Sequence, residues 1–174
     1  MKWTVPRIGR GNQENCSGRE VEFQRRTHTF QNELLTIKGR SKMEEWFAKY
    51  NSSKDFVTLD AWKKARLVRI FFYSDIIPVL PSEEKYNLGS QIRRASVSAT
   101  ANISEGYGRF HYKEGIQFYR IARGSLCELK DHLICCRDIE CIDDSHFEKG
   151  IDLIEQAKIT LNGFIKFIEA KQRT

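Results

Sequence analysis

Glu128 and His132 come nearest to an acid–base or metal-binding pair in this 174-residue chain, because a spacing of four residues places both on one face of a helix. A di-iron helix bundle needs a Glu-x-x-His motif on each of two helices, and the sequence contains none. The other histidines, His28, His111 and His146, are scattered along the chain. We therefore expect no metal site and no cofactor, and we interpret His132 as a histidine at the edge of the core.

The Gly106-Tyr107-Gly108 turn is the second feature that could do chemistry, as a loop that cradles phosphate. It follows a predicted helix rather than a strand, and no Walker lysine follows it. We expect no catalytic residue and no enzymatic activity.

The five cysteines are an odd number and form no Cys-x-x-Cys motif. The adjacent Cys135 and Cys136 would project about 100° apart on a helix, which suits a shared metal poorly. We interpret the cysteines as small apolar residues, reduced in a cytoplasmic protein. The sequence shows no apolar run of membrane-spanning length and no secretory signal, so we expect no membrane association.

Positive charge is the remaining chemical signal, since the formal net charge is +6. Residues 1–42 hold nine Lys/Arg against four Asp/Glu, residues 59–130 hold twelve against seven, and residues 131–174 hold six against nine. The excess of cations in 59–130 could contact the phosphates of RNA or DNA.

The candidate nucleic-acid contacts lie on three predicted helices and one turn. They are Lys63, Lys64, Arg66, Arg69, Arg93, Arg94, Arg109, Lys113, Arg120 and Arg123. The alternative is that these cations are solvated or form ion pairs, such as Arg94 or Arg109 with Glu105.

The elements that would position these residues are helices. We predict helices over about 59–77, 82–105, 112–139 and 144–171, the last opened by Asp143. No stretch alternates as a strand would. Short links between four long helices predict an all-α, antiparallel, up-down-up-down four-helix bundle.

The predicted helix ends rest on capping residues and glycines. Thr58 or Asp60 would cap the first helix, and Ser82 would cap the second. Gly106 and Gly108 would stop the second helix.

The bundle itself is assigned to residues 58–171, with a short lead-in at 43–57. Residues 1–42 lack an apolar period, so we expect a disordered or poorly ordered basic extension. One hypothesis takes Met43 as the natural start, with 1–42 as upstream sequence translated in frame.

Periodic apolar residues predict the faces that build the core. The predicted stripe of the third helix is Phe118, Ile121, Ala122, Ser125, Leu129, His132 and Cys136. The predicted seam of the fourth helix is Ile151, Ile154, Ala157, Leu161, Phe164 and Ile168.

The second helix has two faces that both favour close packing. Its core face holds Leu88, Ile92, Ala95, Ala99 and Ile103. Its opposite face holds Ser90, Arg94, Val97, Ser98, Ala101 and Glu105. The third helix also has candidates away from its core stripe, namely Ile116, Arg120, Cys127 and Ile134. Small and partly apolar outer faces predict a subunit interface in a homo-oligomer. The alternative is a helix that happens to be poor in large polar residues.

Two long motifs carry a family resemblance. Residues 91–109 read QIRRASVSATANISEGYGR, and residues 118–133 read FYRIARGSLCELKDHL. Over about 56–171 the chain resembles the bacterial four-helix-bundle proteins encoded within intervening sequences of 23S ribosomal RNA genes. That family also includes the accessory variability proteins of diversity-generating retroelements. Ala99 and Thr100 stand where the family more usually has Ile-Pro, and Ser104 where it has Ala.

The resemblance implies a homopentameric, barrel-like ring without enzymatic activity. For the retroelement members it also implies binding to a reverse transcriptase and to nucleic acid. The sequence leaves open which branch this chain follows, and a protein–protein scaffold without direct nucleic-acid contact is the alternative function.

Overall fold

The computed structural model describes residues 55–109 and 111–172, and across these residues the chain is helical with no strand. Within these two ranges the α-helices are α1 (Asp60–Phe71), α2 (Leu88–Gly108), α3 (Tyr112–Asp138) and α4 (Asp144–Lys171). After α1 the chain continues through a π-helical turn (Phe72–Ile76) and a 3-10 turn (Ile77–Val79). The predictions for residues 1–42, and for 43–54 of the lead-in, lie outside the described residues.

The four helices pack side by side as a bundle with one apolar core. α1 and α3 each pack against both α2 and α4. The largest fully buried side chains are Phe71, Phe72, Ile76, Ile92, Ile103, Leu126, Leu129, Leu133, Ile154 and Leu161. Each contributes about 1.5–3 kcal/mol by leaving water, so this shared core is the main force that holds the helices together.

The predicted core face of α2 is confirmed, because each of its members is buried. These residues are Leu88, Ile92, Ala95, Ala99 and Ile103. Small residues dominate the middle of this face, which allows the neighbouring helices to approach closely.

The bounds of α4 are confirmed, and so is its opening residue. The Asp143 carboxylate accepts the His146 backbone N–H at 2.8 Å, and this hydrogen bond holds the pKa of Asp143 below its usual range. Of the predicted seam, Ile154, Ala157, Leu161 and Ile168 are buried, while Ile151 and Phe164 are half-buried.

The predicted core stripe of α3 is partly wrong. Ala122, Ser125, Leu129 and Cys136 are buried as expected, but Ile121 is 51% exposed. The buried stripe also takes in Ile116, Tyr119, Leu126 and Leu133. It is wider than a single heptad seam because α3 packs against two neighbours, α2 and α4. Ile116 therefore belongs to the core and not to the outer face on which it was predicted.

The predicted caps of α1 and α2 are wrong. Leu59 occupies the cap position of α1, and the Thr58 hydroxyl instead donates to the Asp55 carbonyl at 2.7 Å, because residues 56–58 already form a 3-10 turn. α2 begins at Leu88, six residues after Ser82, whose hydroxyl donates to the Glu83 carboxylate.

The end of α2 differs in part from the prediction, since Gly106 lies within the helix while Gly108 is its last residue. Gly106 is buried at the crossing with α3. A Cβ at Gly106 would lie 2.9 Å from the Gly115 carbonyl oxygen, and a Cβ at Gly115 would lie 2.7 Å from the Gly106 carbonyl oxygen. Gly106 is therefore a contact point between two backbones and not a helix stop.

Candidate nucleic-acid interface

The candidate cations of α1 point toward different neighbours. Lys64 donates to the Gln156 side chain on α4 at 2.8 Å, while Arg69 donates to the Thr100 hydroxyl on α2 at 2.7 Å. Lys63 forms an exposed ion pair with Asp60, and Arg66 also has an interaction partner. The four α1 candidates therefore do not form one patch.

The candidates of α2 and the following turn are held mainly by carboxylates. Arg94 pairs with Glu128 of α3 at 2.8 Å. Arg109 pairs with Glu105 and Glu114. The predicted ion pair of Arg109 with Glu105 is confirmed. Arg94 pairs with Glu128 on α3 instead of Glu105.

Two further contacts complete the surroundings of these arginines. The Arg109 guanidinium lies 4.5 Å from the centre of the Phe118 ring, in cation–π geometry. Arg93 differs from both Arg94 and Arg109, because its guanidinium donates to the Lys85 carbonyl at 3.2 Å rather than to an acid.

The candidates of α3 include a pair that shares a groove with α4. Arg120 pairs with Glu169 at 3.1 Å, and Arg123 donates to the Asn162 side-chain oxygen at 3.3 Å. Lys166 lines the same groove. Lys166 is not among the predicted cations, because residues 131–174 contain more acidic than basic residues. The spacing of four residues places Lys166 on the same helix face as Asn162, and this spacing is the sequence signal for its position in the groove.

The predicted outer face of α2 is exposed at Ser90, Val97 and Ala101, with Val97 47% exposed. Ser98 is different, because its hydroxyl lies 2.8 Å from the Ser125 hydroxyl of α3. Asn102 donates to the Ser98 carbonyl at 2.8 Å. Ser98 thus already serves a contact inside the bundle, whereas Val97 and Ala101 are open to a neighbour.

The Glu128 and His132 pair does not form a working acid–base site. His132 Nε2 lies 3.7 Å from Glu128 Oε1, and it is buried without a hydrogen-bond partner. Glu128 is engaged by Arg94 instead. Across residues 55–109 and 111–172, no group of three or more His, Cys, Asp or Glu side chains is arranged to hold a metal ion.

The cysteines at the end of α3 are not set up as nucleophiles. Burial, with Cys141 nearby, raises the pKa of the Cys136 thiol to about 12, so this thiol stays protonated at neutral pH. Burial likewise raises the pKa of Cys135. The Cys141 thiol donates to the Cys136 carbonyl at 3.2 Å, in a helix-capping role.

An apolar cavity of about 200 Å³ lies at the junction of α2 and α3, lined in part by Tyr107, Tyr112, Tyr119 and Phe164. Burial raises the pKa of Tyr119 to about 12. The Tyr119 ring packs edge-on against Phe164, with ring centres 5.0 Å apart. We interpret this cavity as a packing feature around the Gly106–Gly115 crossing.

Among the helices that the structure describes, none is long and apolar enough to cross a membrane.

Comparison with known proteins shows the family to which the chain belongs. No curated protein matches the sequence significantly. The family described as 23S rRNA-intervening sequence protein matches residues 57–163, which span the α1, α2 and α3 helices and most of α4. Both motifs that carried the resemblance fall inside this range. The chain belongs to the 23S rRNA-intervening sequence protein family.

Proposed function

We propose that this protein is a non-enzymatic, cytoplasmic homo-oligomer that binds RNA or DNA through basic surfaces. The observation that carries this proposal is a set of candidate cations that no carboxylate neutralises within the described residues. They are Arg69, Arg93, Lys113 and Arg123. A cation whose charge is not matched by an acid stays available to a phosphate group.

The order of contacts supports an antiparallel bundle as part of this proposal. Along α2, the positions 94, 98 and 106 meet positions 128, 125 and 115 of α3, so the numbers rise on one helix as they fall on the other. Alternating helices place the α2–α3 turn and the α4 carboxyl end together, in agreement with Tyr119 against Phe164.

The outer face of α2 supports assembly of several copies. Val97 and Ala101 are exposed, and a helix face of small and apolar residues lets a second backbone approach. A homopentameric ring is the assembly that the family resemblance implies. A ring would repeat each unneutralised cation by symmetry, so that a modest charge on one subunit becomes a strong field.

The experiment is direct binding of fluorescent RNA and DNA oligonucleotides at two salt concentrations. Because neutralised phosphates release counterions, we expect the affinity to fall by about tenfold or more between ~50 and ~200 mM salt. An affinity that is absent, or that does not change with salt, would refute nucleic-acid binding.

The second candidate function is a protein–protein scaffold, or a reverse-transcriptase accessory, without direct nucleic-acid contact. It is favoured by the ion pairs that already occupy Lys63, Arg94, Arg109 and Arg120. Recovery of a defined protein partner after nuclease treatment, together with no oligonucleotide affinity, would select this function.

A further inference from the structure

The groove between α3 and α4 concentrates unneutralised positive charge. It is open to solvent, has a volume of about 640 Å³, and is lined by Arg120 and Arg123 from α3 and by Asn162, Ile165, Lys166 and Glu169 from α4. Three of these six residues are cations, and Glu169 is the one acid among them. The groove therefore carries a net charge of +2. This charge contrasts with residues 131–174, which include α4 and contain more acidic than basic residues.

Most of the hydrogen-bond donors in this groove are not used by the protein. A guanidinium has five N–H donors, and Arg123 uses one of them for Asn162 at 3.3 Å. Lys166 is exposed, and none of the described residues offers it a carboxylate within ion-pair distance. Such donors on two facing helices match an anion with several oxygen acceptors.

Phosphate is the anion that these donors suit best. Its oxygens accept paired N–H donors from a guanidinium, and an ammonium adds a point charge from the opposite wall. The Arg123–Asn162 hydrogen bond keeps the guanidinium at the groove without neutralising it, because an amide oxygen carries no net charge. Glu169 reduces the attraction for an anion, since its carboxylate already holds Arg120.

We propose that the α3–α4 groove is a phosphate-binding site in which Arg123 and Lys166 are the principal contacts. As a contact to nucleic acid, this site deepens the proposed function and rests on it. As a site for a free phosphate compound, it stands independently. The recognised chemistry, a phosphate group, is the same in both cases.

The test uses the full chain and four single variants, each of which replaces one charged side chain with glutamine. Arg123→Gln and Lys166→Gln each remove one positive charge from the groove, and Glu169→Gln removes its negative charge. Lys158→Gln is the matched control, because Lys158 lies on α4 outside the groove and pairs with Glu155 at 3.0 Å. Thermal unfolding of each variant verifies that the bundle is folded.

We expect Arg123→Gln and Lys166→Gln each to weaken oligonucleotide binding by about five- to tenfold at ~100 mM salt and to lower the salt slope by about one. Glu169→Gln should strengthen binding, an outcome that loss of folding cannot imitate. Lys158→Gln should bind as the wild type does.

Inorganic pyrophosphate, followed by calorimetry, separates the two sources of phosphate. If oligonucleotides bind and the groove variants change neither oligonucleotide nor pyrophosphate binding, the groove assignment is overturned and nucleic-acid binding stands. If oligonucleotides do not bind but pyrophosphate binds and is lost in Lys166→Gln, the groove takes a free phosphate compound and the proposed function fails. If neither probe binds, both proposals are overturned.

Discussion

Glu140 adopts a φ of 57°, and it is the one residue other than glycine with a positive φ in the part of the chain that the structure describes. It follows the end of α3, where its N–H donates to the Arg137 carbonyl and the Cys141 N–H donates to the Cys136 carbonyl. These two hydrogen bonds form a Schellman motif, in which glycine usually occupies the left-handed position. The side chain at 140 is therefore a local source of strain.

Glu140→Gly should stabilise the bundle by about 0.5–1 kcal/mol. The substitution removes the steric cost of the left-handed conformation, and part of this gain is offset by the greater freedom of glycine in the unfolded chain. Urea unfolding measures the change. The control is Glu148→Gly at an exposed position inside α4, which should cost about 1 kcal/mol. Equal destabilisation by both substitutions would contradict the assignment of strain to Glu140.

At the scale of the secondary-structure elements, α2 and α3 pack so closely that their backbones come into contact. Gly106 and Gly115 meet where the helices cross, with Tyr119 against them. Glycine has a low helix propensity, so its presence at both positions costs stability that the close packing of the two helices must offset. The same contact explains why Gly106 continues α2 although glycine commonly terminates helices.

Gly115→Ala should destabilise the protein by about 1–3 kcal/mol, because the added Cβ would overlap the Gly106 carbonyl oxygen and the two helices would have to separate. Gly163→Ala is the matched control on α4, since nothing lies within 4 Å of a Cβ added there. It should stabilise the protein by up to about 1 kcal/mol. Thermal or urea unfolding distinguishes the two results. A Gly115→Ala protein as stable as the wild type would show that the crossing can relax.

At the scale of the whole molecule, the outer face of α2 is where we expect the proposed homo-oligomer to form its subunit interface. Val97 and Ala101 lie on this face and are exposed. Exposed apolar residues that occur singly need no explanation, but small residues at successive turns of one helix favour a neighbouring subunit.

If the proposed homo-oligomer forms through this face, Val97→Lys should shift it to a smaller species, because a charge would replace an apolar contact between subunits. Light scattering or native mass spectrometry measures the mass. Val79→Lys is the control, because Val79 is 50% exposed, close to the 47% of Val97, and lies in the turn after α1. If both variants keep the mass of the wild type, the subunit interface does not lie on this face.

Features that depend on local periodicity and local capping could be predicted from the amino-acid sequence. The helical class, the bounds of α4 with its Asp143 cap, and the core face of α2 followed from apolar spacing and from a carboxylate at a helix start. The motifs in 91–109 and 118–133 also sufficed to identify the family. Each of these signals lies within one continuous stretch of the chain, so no knowledge of neighbouring helices was needed.

The side chains that meet across helices became known from the packing of the bundle. Arg94 with Glu128, Arg123 with Asn162, and Gly106 with Gly115 depend on how far one helix is shifted along the next. The groove with Lys166 exists because α3 and α4 lie side by side, and the buried stripe of α3 is wide because α3 packs against two neighbours. Neither feature can be predicted from the sequence of one helix. The free energy that sets this register comes from the shared core, and it is not encoded in the period of any single helix.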